Sequence, residues 1–389
     1  MEEFQFISPT KFILQRNAEQ MCGEEIKRYS DSVLFVHYGN DYMYDSGLYT
    51  KIINSLTRAG VKGFELPGVQ PNPLIGLVRK GIEICKKENI KCVLAVGGGS
   101  VIDTAKAVAL GAEYEGDVWD FFSGEADAKN ALPIGVVMTL PATGSEGSKG
   151  SVIRNEESGE SADVLADCIR PKFALMNPEL TKTITKRQTV FGIVDMFSHV
   201  LERYFSNSKN VNLSDYMCEG VMKAIITNSK LLLENMEDYD LRAEFMWTSI
   251  IAHNGVLAVG RQEDWATHAM GAQLSAQYNV THGATLSVLF PVWAEYVYQE
   301  NISRFVQFAN RVFNVEVDFY NQENTAKEGI RKIREFFDFL GAPATLGELG
   351  IDNDENFERM ANSVCKSGEI GGIKKLSQVD VEEIYRRAL

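Results

Sequence analysis

The chain has 389 residues, 45% of them apolar and 24% charged, and carries a net charge of −14. That length accommodates two domains with a buried core. The acidic balance, with no long Lys/Arg run, argues against a nucleic-acid partner and against an anionic membrane surface. The opening MEEFQFISPT lacks the basic and apolar regions of a secretory signal, and no apolar run is long enough to span a bilayer. Six cysteines (Cys22, Cys85, Cys92, Cys168, Cys218, Cys365) are scattered without a CxxC pair. Neither a zinc ribbon nor a disulfide framework is expected, and a reducing cytoplasm is the simplest setting.

In chain order, SVLFVHYG (32–39) reads as a buried strand and GLYTKIINSLTRAG as the helix after it. KGFELPG is a short strand, and NPLIGLVRKGIEICKKEN has apolar residues at helical spacing. KCVLAVGGGS is a strand running into a glycine turn, and VIDTAKAVALGA is helical. LPIGVVMTLPATGSE is a strand ending in a small-residue loop, and KFALMNP is the last clear strand. Such alternation predicts a parallel, doubly wound sheet. From about residue 186 the pattern is almost purely amphipathic helix, from TVFGIVDMFSHVLERYF to NTAKEGIRKIREFFDFLG. The expected organisation is an α/β domain over 1–182 and an all-helical domain over 183–389.

Chemistry-bearing residues are sparse, with only five histidines in the chain. Asp195 and His199 lie four apart on a helical pattern, so they share one face and can grip one cation. A helical Asp that merely holds a histidine would look the same. His268 and His282 bracket HAMGAQLSAQYNVTH; on one continuous helix they would stand about 21 Å apart, too far for one metal. YNVTH supplies a stop, because Asn279 tolerates the left-handed conformation and Val280 and Thr281 resist helix. A helix over 265–277, a turn and a new helix near His282 would let both imidazoles converge. On spacing alone, two buried, hydrogen-bonded core histidines are the favoured reading of the pair.

The ordered motifs PTKFIL, GVQPNP (68–73), GGGSVIDTAK (97–106), PATGSE (141–146), RPKFALMNP (170–178), QTVFGIVDMFSHVLERYF (188–205), DWATH and HGATLSVLFPVWAEY resemble the iron-dependent (group III) alcohol dehydrogenase family. The likeness is to its branch of butanol dehydrogenases and broad aldehyde reductases, and spans nearly the whole chain. It implies a Rossmann-like parallel-sheet domain followed by an all-α domain, the dehydroquinate synthase-like arrangement. It also implies that Asp195, His199, His268 and His282 bind a divalent metal and act in catalysis through it. Three imidazoles and a carboxylate without a thiolate suit Fe(II) first and Zn(II) second. The implied activity is NAD(P)-linked interconversion of small neutral alcohols and aldehydes, with hydride transfer at a cleft between the domains and a homodimer as the assembly.

VLAVGGGSVIDTAK reads as strand, turn and helix. Gly97, Gly98 and Gly99 allow close approach of a pyrophosphate to the helix N-terminus, and Ser100 is a candidate cap. Alone, GGGS could equally be a plain βα turn. By resemblance, Asn72, Asp103, Thr139, Leu140 and Thr143 also line the dinucleotide site; Lys106 matches the motif too, with a solvated helix face at least as good a reading. Asp41 in HYGNDYMYDSG would accept from a ribose 2′-hydroxyl and repel a 2′-phosphate, which favours NAD over NADP; a turn-capping role for Asp41 is the alternative. His253 is expected as a core histidine, and His37 as structural or near the cofactor. Trp265, Phe197 and Trp293 are candidate pocket walls or core packing.

Two positions depart from the family pattern. Ala272 stands where relatives usually carry a second histidine, a candidate proton relay, and Ser161 falls where many carry a lysine in the loop after SVI. The alternatives are a polyol dehydrogenase or a lyase of the dehydroquinate-synthase type in the same superfamily, or a metal- or nucleotide-binding homologue with impaired catalysis, for which Ala272 is the one hint.

Overall fold

The computed structural model describes all 389 residues. They form two compact units. The α/β unit comprises residues 7–184 together with 236–254, and the helical unit comprises 1–6, 185–235 and 255–389. The main passage from one unit to the other lies at Ile184/Thr185, and residues 1–6 and 236–254 belong to the unit opposite their neighbours in sequence.

The α/β unit is built on a six-stranded parallel sheet, in the order β1-β8-β5-β4-β2-β3. Its strands are β1 (Lys11–Leu14), β2 (Ser32–His37), β3 (Lys62–Leu66), β4 (Val93–Gly97), β5 (Ile134–Met138) and β8 (Phe173–Met176). β4, β5 and β8 are buried at every residue, which is why they read as unbroken apolar runs: both faces of a parallel sheet are covered. Alternate residues serve opposite cores. Leu34, Val36 and Ala95 face the core shared with the helices α4 and α5, whereas Val33, Phe35 and Leu94 face the core shared with α1 and α3. Here α1 is Cys22–Lys27, α2 Asp41–Asp45, α3 Leu48–Arg58, α4 Ile75–Glu88, α5 Gly99–Ala112 and α6 Trp119–Ser123.

β1 is an edge strand too short to stand out among its flanks, and it was legible only as the motif PTKFIL. A separate antiparallel hairpin pairs β6 (Gly150–Arg154) with β7 (Ser161–Leu165). Ser161 was expected in a loop; it opens β7 opposite Arg154, because the turn closes tightly through Asn155, which accepts from the amides of Glu157 and Ser158.

The helical unit contains α7 (Lys186–Tyr204), α8 (Asn212–Glu234), α10 (Ala266–Tyr278), α11 (His282–Val297), α12 (Ile302–Phe313), α13 (Gln322–Leu340), α14 (Phe357–Val364) and α15 (Gln378–Arg387). α9 (Tyr239–His253) belongs with the sheet instead: Met246 and Ile250 join its core, and Trp247 packs edge-on against Phe12 at 5.9 Å. An amphipathic period shows that a helix has an apolar face, not which core receives it. α7 starts at a Thr185/Gln188 capping box and is buried without interruption from Thr189 to Tyr204.

Lys106 is not on a solvated face, one of its two readings. It is fully buried on α5, and its ammonium donates to the carbonyls of Ser145 (2.7 Å), Ser148 (3.1 Å) and Gly150 (2.7 Å). Asp103, one turn earlier, accepts from Ser145 Oγ (2.7 Å) and the Val152 amide (3.1 Å). Burial lowers Lys106 to about 8 and raises Asp103, while each opposes the shift of the other. The pair pins the loop after β5 onto α5. Replacing Lys106 by Met strands a buried carboxylate and three carbonyls, so a loss of about 3–5 kcal/mol is expected. A denaturant midpoint close to that of the unsubstituted protein would refute this account.

Candidate active site

Asp195 and His199 occupy successive turns of α7. The reversal anticipated between His268 and His282 is present. α10 ends at Asn279 in the left-handed conformation (φ 54°), Thr281 occupies the N-cap of α11, and His282 is the first residue of that helix. Two glycines make the convergence sterically feasible. A Cβ on Gly283 would sit 2.2 Å from the Phe191 carbonyl oxygen of α7, and one on Gly271 would sit 2.6 Å from Thr285 Oγ1 of α11. The backbones therefore approach closely where the donors must meet.

Asp195, His268 and His282 each bring one donor atom within 4.8 Å of the others. His268 Nε2 lies 3.8 Å and His199 Nε2 4.0 Å from Asp195 Oδ1, and the His199 and His268 rings stack at 4.6 Å between centroids. These separations are too long for hydrogen bonds, but they match two ligands each about 2 Å from one ion. Asp195 Oδ1 and His268 Nε2 are buried with no hydrogen-bond partner. Orphaned buried polar atoms of this kind demand a compensating group. Burial raises Asp195 to about 7 and lowers His268 and His282 to about 3, so both imidazoles keep their lone pairs at neutral pH. The donor set fits a divalent cation.

One functional residue escaped the sequence. Glu202, fully buried on α7, accepts from the amides of Trp265 (2.8 Å) and His268 (3.1 Å) and from the Thr267 hydroxyl. It also stands 3.1 Å from His268 Nδ1. With the proton on Nδ1 donated to this carboxylate, His268 turns Nε2 toward Asp195. Glu202 thereby holds both the N-terminus of α10 and the tautomer of a donor. Its signal was its place on the Asp195–His199 face of the helix, where a carboxylate also reads as a solvated charge.

Trp265 holds φ 65°, strained for an aromatic residue. Its ring lies edge-on to His268 (4.9 Å) and His199 (5.8 Å), backed by the Arg203 guanidinium at 4.6 Å. It walls the cluster. Phe197 packs with Phe336 and Phe337, and Trp293 with Phe205 and Phe290, so both are core residues. His253 is not enclosed in the core as expected: it ends α9, half-buried, beside Gly144.

In the α/β unit, β2 leads outward to β3, whereas β4 leads the other way to β5. The strand order thus reverses between β2 and β4, where such sheets bind ligands outside their carboxyl ends. The Gly97–Gly99 turn closes β4 there. Gly98 is the N-cap of α5, no side chain caps the helix, and its first turn holds no acidic residue, which suits an anionic phosphate. Ser100 is therefore not the cap: it lies inside the helix, and its carbonyl accepts from Thr104 Oγ1.

The glycines are required by the protein's own packing. Added Cβ atoms at 97, 98 and 99 would strike Val101 (2.4 Å), Leu140 (2.9 Å) and Thr143 (2.7 Å), with Tyr38 close to the first two. The Thr139 amide donates to the Gly97 carbonyl at 3.1 Å. Thr139, Leu140 and Thr143 thus gather on the turn, with Tyr38 as an unanticipated neighbour. Asp41, exposed, opens α2 after β2, and Asn40, not Asp41, caps that helix by accepting from the Met43 amide. Asn72 follows β3 in a left-handed conformation (φ 56°). Asp103 spends its carboxylate on Ser145 and Val152.

The model of iron-containing alcohol dehydrogenases matches residues 9–178, and that of the C-terminal region of the Fe-containing alcohol dehydrogenase family matches 189–389. The chain is 42% identical to a probable NADH-dependent butanol dehydrogenase 1 of Bacillus subtilis and 38% identical to NADH-dependent butanol dehydrogenase A of Clostridium acetobutylicum, each over the full length of both chains. The crystal structure of NADH-dependent butanol dehydrogenase A from Thermotoga maritima superposes with a TM-score of 0.95 at 38% identity, covering 100% of this chain and 99% of that one.

Replacing Glu202 by Ala is expected to weaken divalent-metal binding about 10–100-fold, read by competition with a chromophoric chelator, with Gln intermediate. Unchanged metal affinity in the Ala variant would remove Glu202 from the site.

Proposed function

The chain belongs to the iron-containing alcohol dehydrogenase family, whose members are metal-dependent, NAD(P)-linked oxidoreductases of alcohols and aldehydes, and from that premise we propose that it interconverts short neutral alkanols and alkanals, butanol and butyraldehyde among them, with NAD as the preferred dinucleotide. The observation that carries the metal assignment is the pair of unpartnered buried donors, Asp195 Oδ1 and His268 Nε2. Asp195, His199, His268 and His282 would hold Fe(II), with Zn(II) as the substitute. When bound, the metal polarises a substrate oxygen as a Lewis acid and the nicotinamide exchanges hydride.

The protein's part is to hold and orient. Glu202 fixes the His268 tautomer, and Trp265 screens His199 and His268 with an apolar ring. Gly97–Gly99 and the first turn of α5 would receive the pyrophosphate, with Thr139, Leu140 and Thr143 beside them. Asp41, exposed and free of capping duty, would accept from the ribose 2′-hydroxyl and oppose a 2′-phosphate. Ala272 cannot carry protons, so solvent would supply the proton that completes aldehyde reduction, at the cost of a relay worth roughly 10²–10⁴-fold. A homodimer fits the unpaired outer edge of β1. A cytoplasmic setting fits six free cysteines, and no helix is long and apolar enough to cross a membrane.

The test is oxidation of NADH and NADPH with butyraldehyde by protein stripped of metal and reloaded anaerobically. Turnover is expected to require Fe(II) or Zn(II) and to vanish in Asp195→Ala and His268→Ala. Cofactor binding without turnover under either metal would move the function to a narrower substrate or a non-catalytic role. In Asp41→Gly the preference for NADH over NADPH is expected to fall by about tenfold or more as the 2′-phosphate repulsion disappears; an unchanged ratio would exclude Asp41 as its source.

A further inference from the structure

His37 closes β2 and is fully buried, its ring stacked on Phe35 at 4.4 Å between centroids. The backbone amide of Gly39 donates to His37 Nδ1 at 3.1 Å. Nδ1 is therefore an acceptor, and the proton of the neutral ring sits on Nε2. Nε2 has no hydrogen-bond partner, and Glu65 Oε2, on β3, stands 3.8 Å away. Tyr49 on α3 and Tyr44 on α2 are the other titratable groups against the ring. Burial lowers the imidazole's pKa from its ordinary value, with Glu65 opposing, so Nδ1 stays available at neutral pH.

Gly39 has little freedom of its own. It is left-handed (φ 70°), and a Cβ there would lie 2.9 Å from Pro67 Cβ. The segment it anchors runs along the glycine turn: Tyr38 packs against Gly97 and Gly98, and Asp41 opens α2 two residues beyond Gly39. β2 and β4 are neighbours in the sheet, with His37 opposite Val96.

We propose that His37 is a positioning residue for the dinucleotide: its unprotonated Nδ1 holds the Gly39 amide and so seats Tyr38 against the Gly97–Gly98 turn and Asp41 at the mouth of the same site. This rests on the reading of that turn as the dinucleotide site. The residue touches no cofactor itself; it acts through the backbone of the segment that follows it. An acceptor is what position 37 must supply, while the ring serves only packing.

Three variants separate these roles. His37→Asn keeps an acceptor near Nδ1, His37→Phe keeps the stacked ring without an acceptor, and His37→Leu keeps neither. NAD⁺ binding to the full-length protein, measured by calorimetry at pH 8, is expected to stay within about threefold in His37→Asn and to weaken about tenfold in His37→Phe and His37→Leu, the scale of one lost buried hydrogen bond. Should Leu prevent folding, the contrast between Asn and Phe carries the test. Wild-type affinity in His37→Phe, or equal weakening in Asn and Phe, overturns the inference and leaves the cofactor site standing. Absence of both NAD⁺ and NADP⁺ binding in the unsubstituted protein overturns the cofactor site, and the inference with it.

Discussion

The carboxylate of Asp195 lies inside the helical unit with one oxygen that accepts no hydrogen bond, and burying such an atom is costly unless a cation or a proton takes it. On the proposed reading the surrounding helices leave that oxygen to a cation. α7 must be buried along one continuous stretch to bring Asp195 inside, and α10 and α11 must then reverse at Asn279 and press against it. Gly271 and Gly283 permit that pressing because a side chain at either would collide with Thr285 or the Phe191 carbonyl. A left-handed Trp265 and a buried Glu202 complete the enclosure. Backbone strain at Trp265 and unpartnered donors at Asp195 and His268 thus lie together in this cluster.

The α/β unit solves a different problem. Its glycine turn presents an uncapped helix N-terminus at the strand-order reversal, and the loops around it are held by groups that a quick reading would assign to the ligand. Asp103 and Lys106 lie within the motif that resembles a cofactor fingerprint, yet both serve the loop after β5. His37 looks like a spare strand residue, yet its Nδ1 holds the next turn. Around the glycine turn the charges of Asp103 and Lys106 are spent on the protein's own loop, whereas Asp41 is exposed.

Ala272, which the resemblance singles out as a departure from the family pattern, does not disturb the donors. It lies on α10 one turn after His268, and the geometry of Asp195, His268 and His282 is intact beside it. On the proposed reading the ligand set and the proton path are separable requirements: the first would be held by three helices and a buried carboxylate, whereas the second would pass to water at some expense in rate.

The sequence by itself determined the two-domain plan, the buried strands, the Asp195–His199 face and the helix stop at Asn279. These follow from local physics: two-sided burial forces continuous apolar runs, a four-residue spacing forces a shared helical face, and Asn accepts a left-handed conformation. Motif order then supplied the family. Tertiary structure alone decided whether His268 and His282 meet, because spacing by itself favours separate burial, whereas the close approaches at Gly271 and Gly283 bring α10 against α11 and α11 against α7. It also decided that the helix 239–253 serves the sheet, that Lys106 is inside, that Gly98 rather than Ser100 starts its helix, and that Glu202 orients His268. Each depends on which surface a residue meets across the fold, and a charge or an apolar stripe carries no address of its partner.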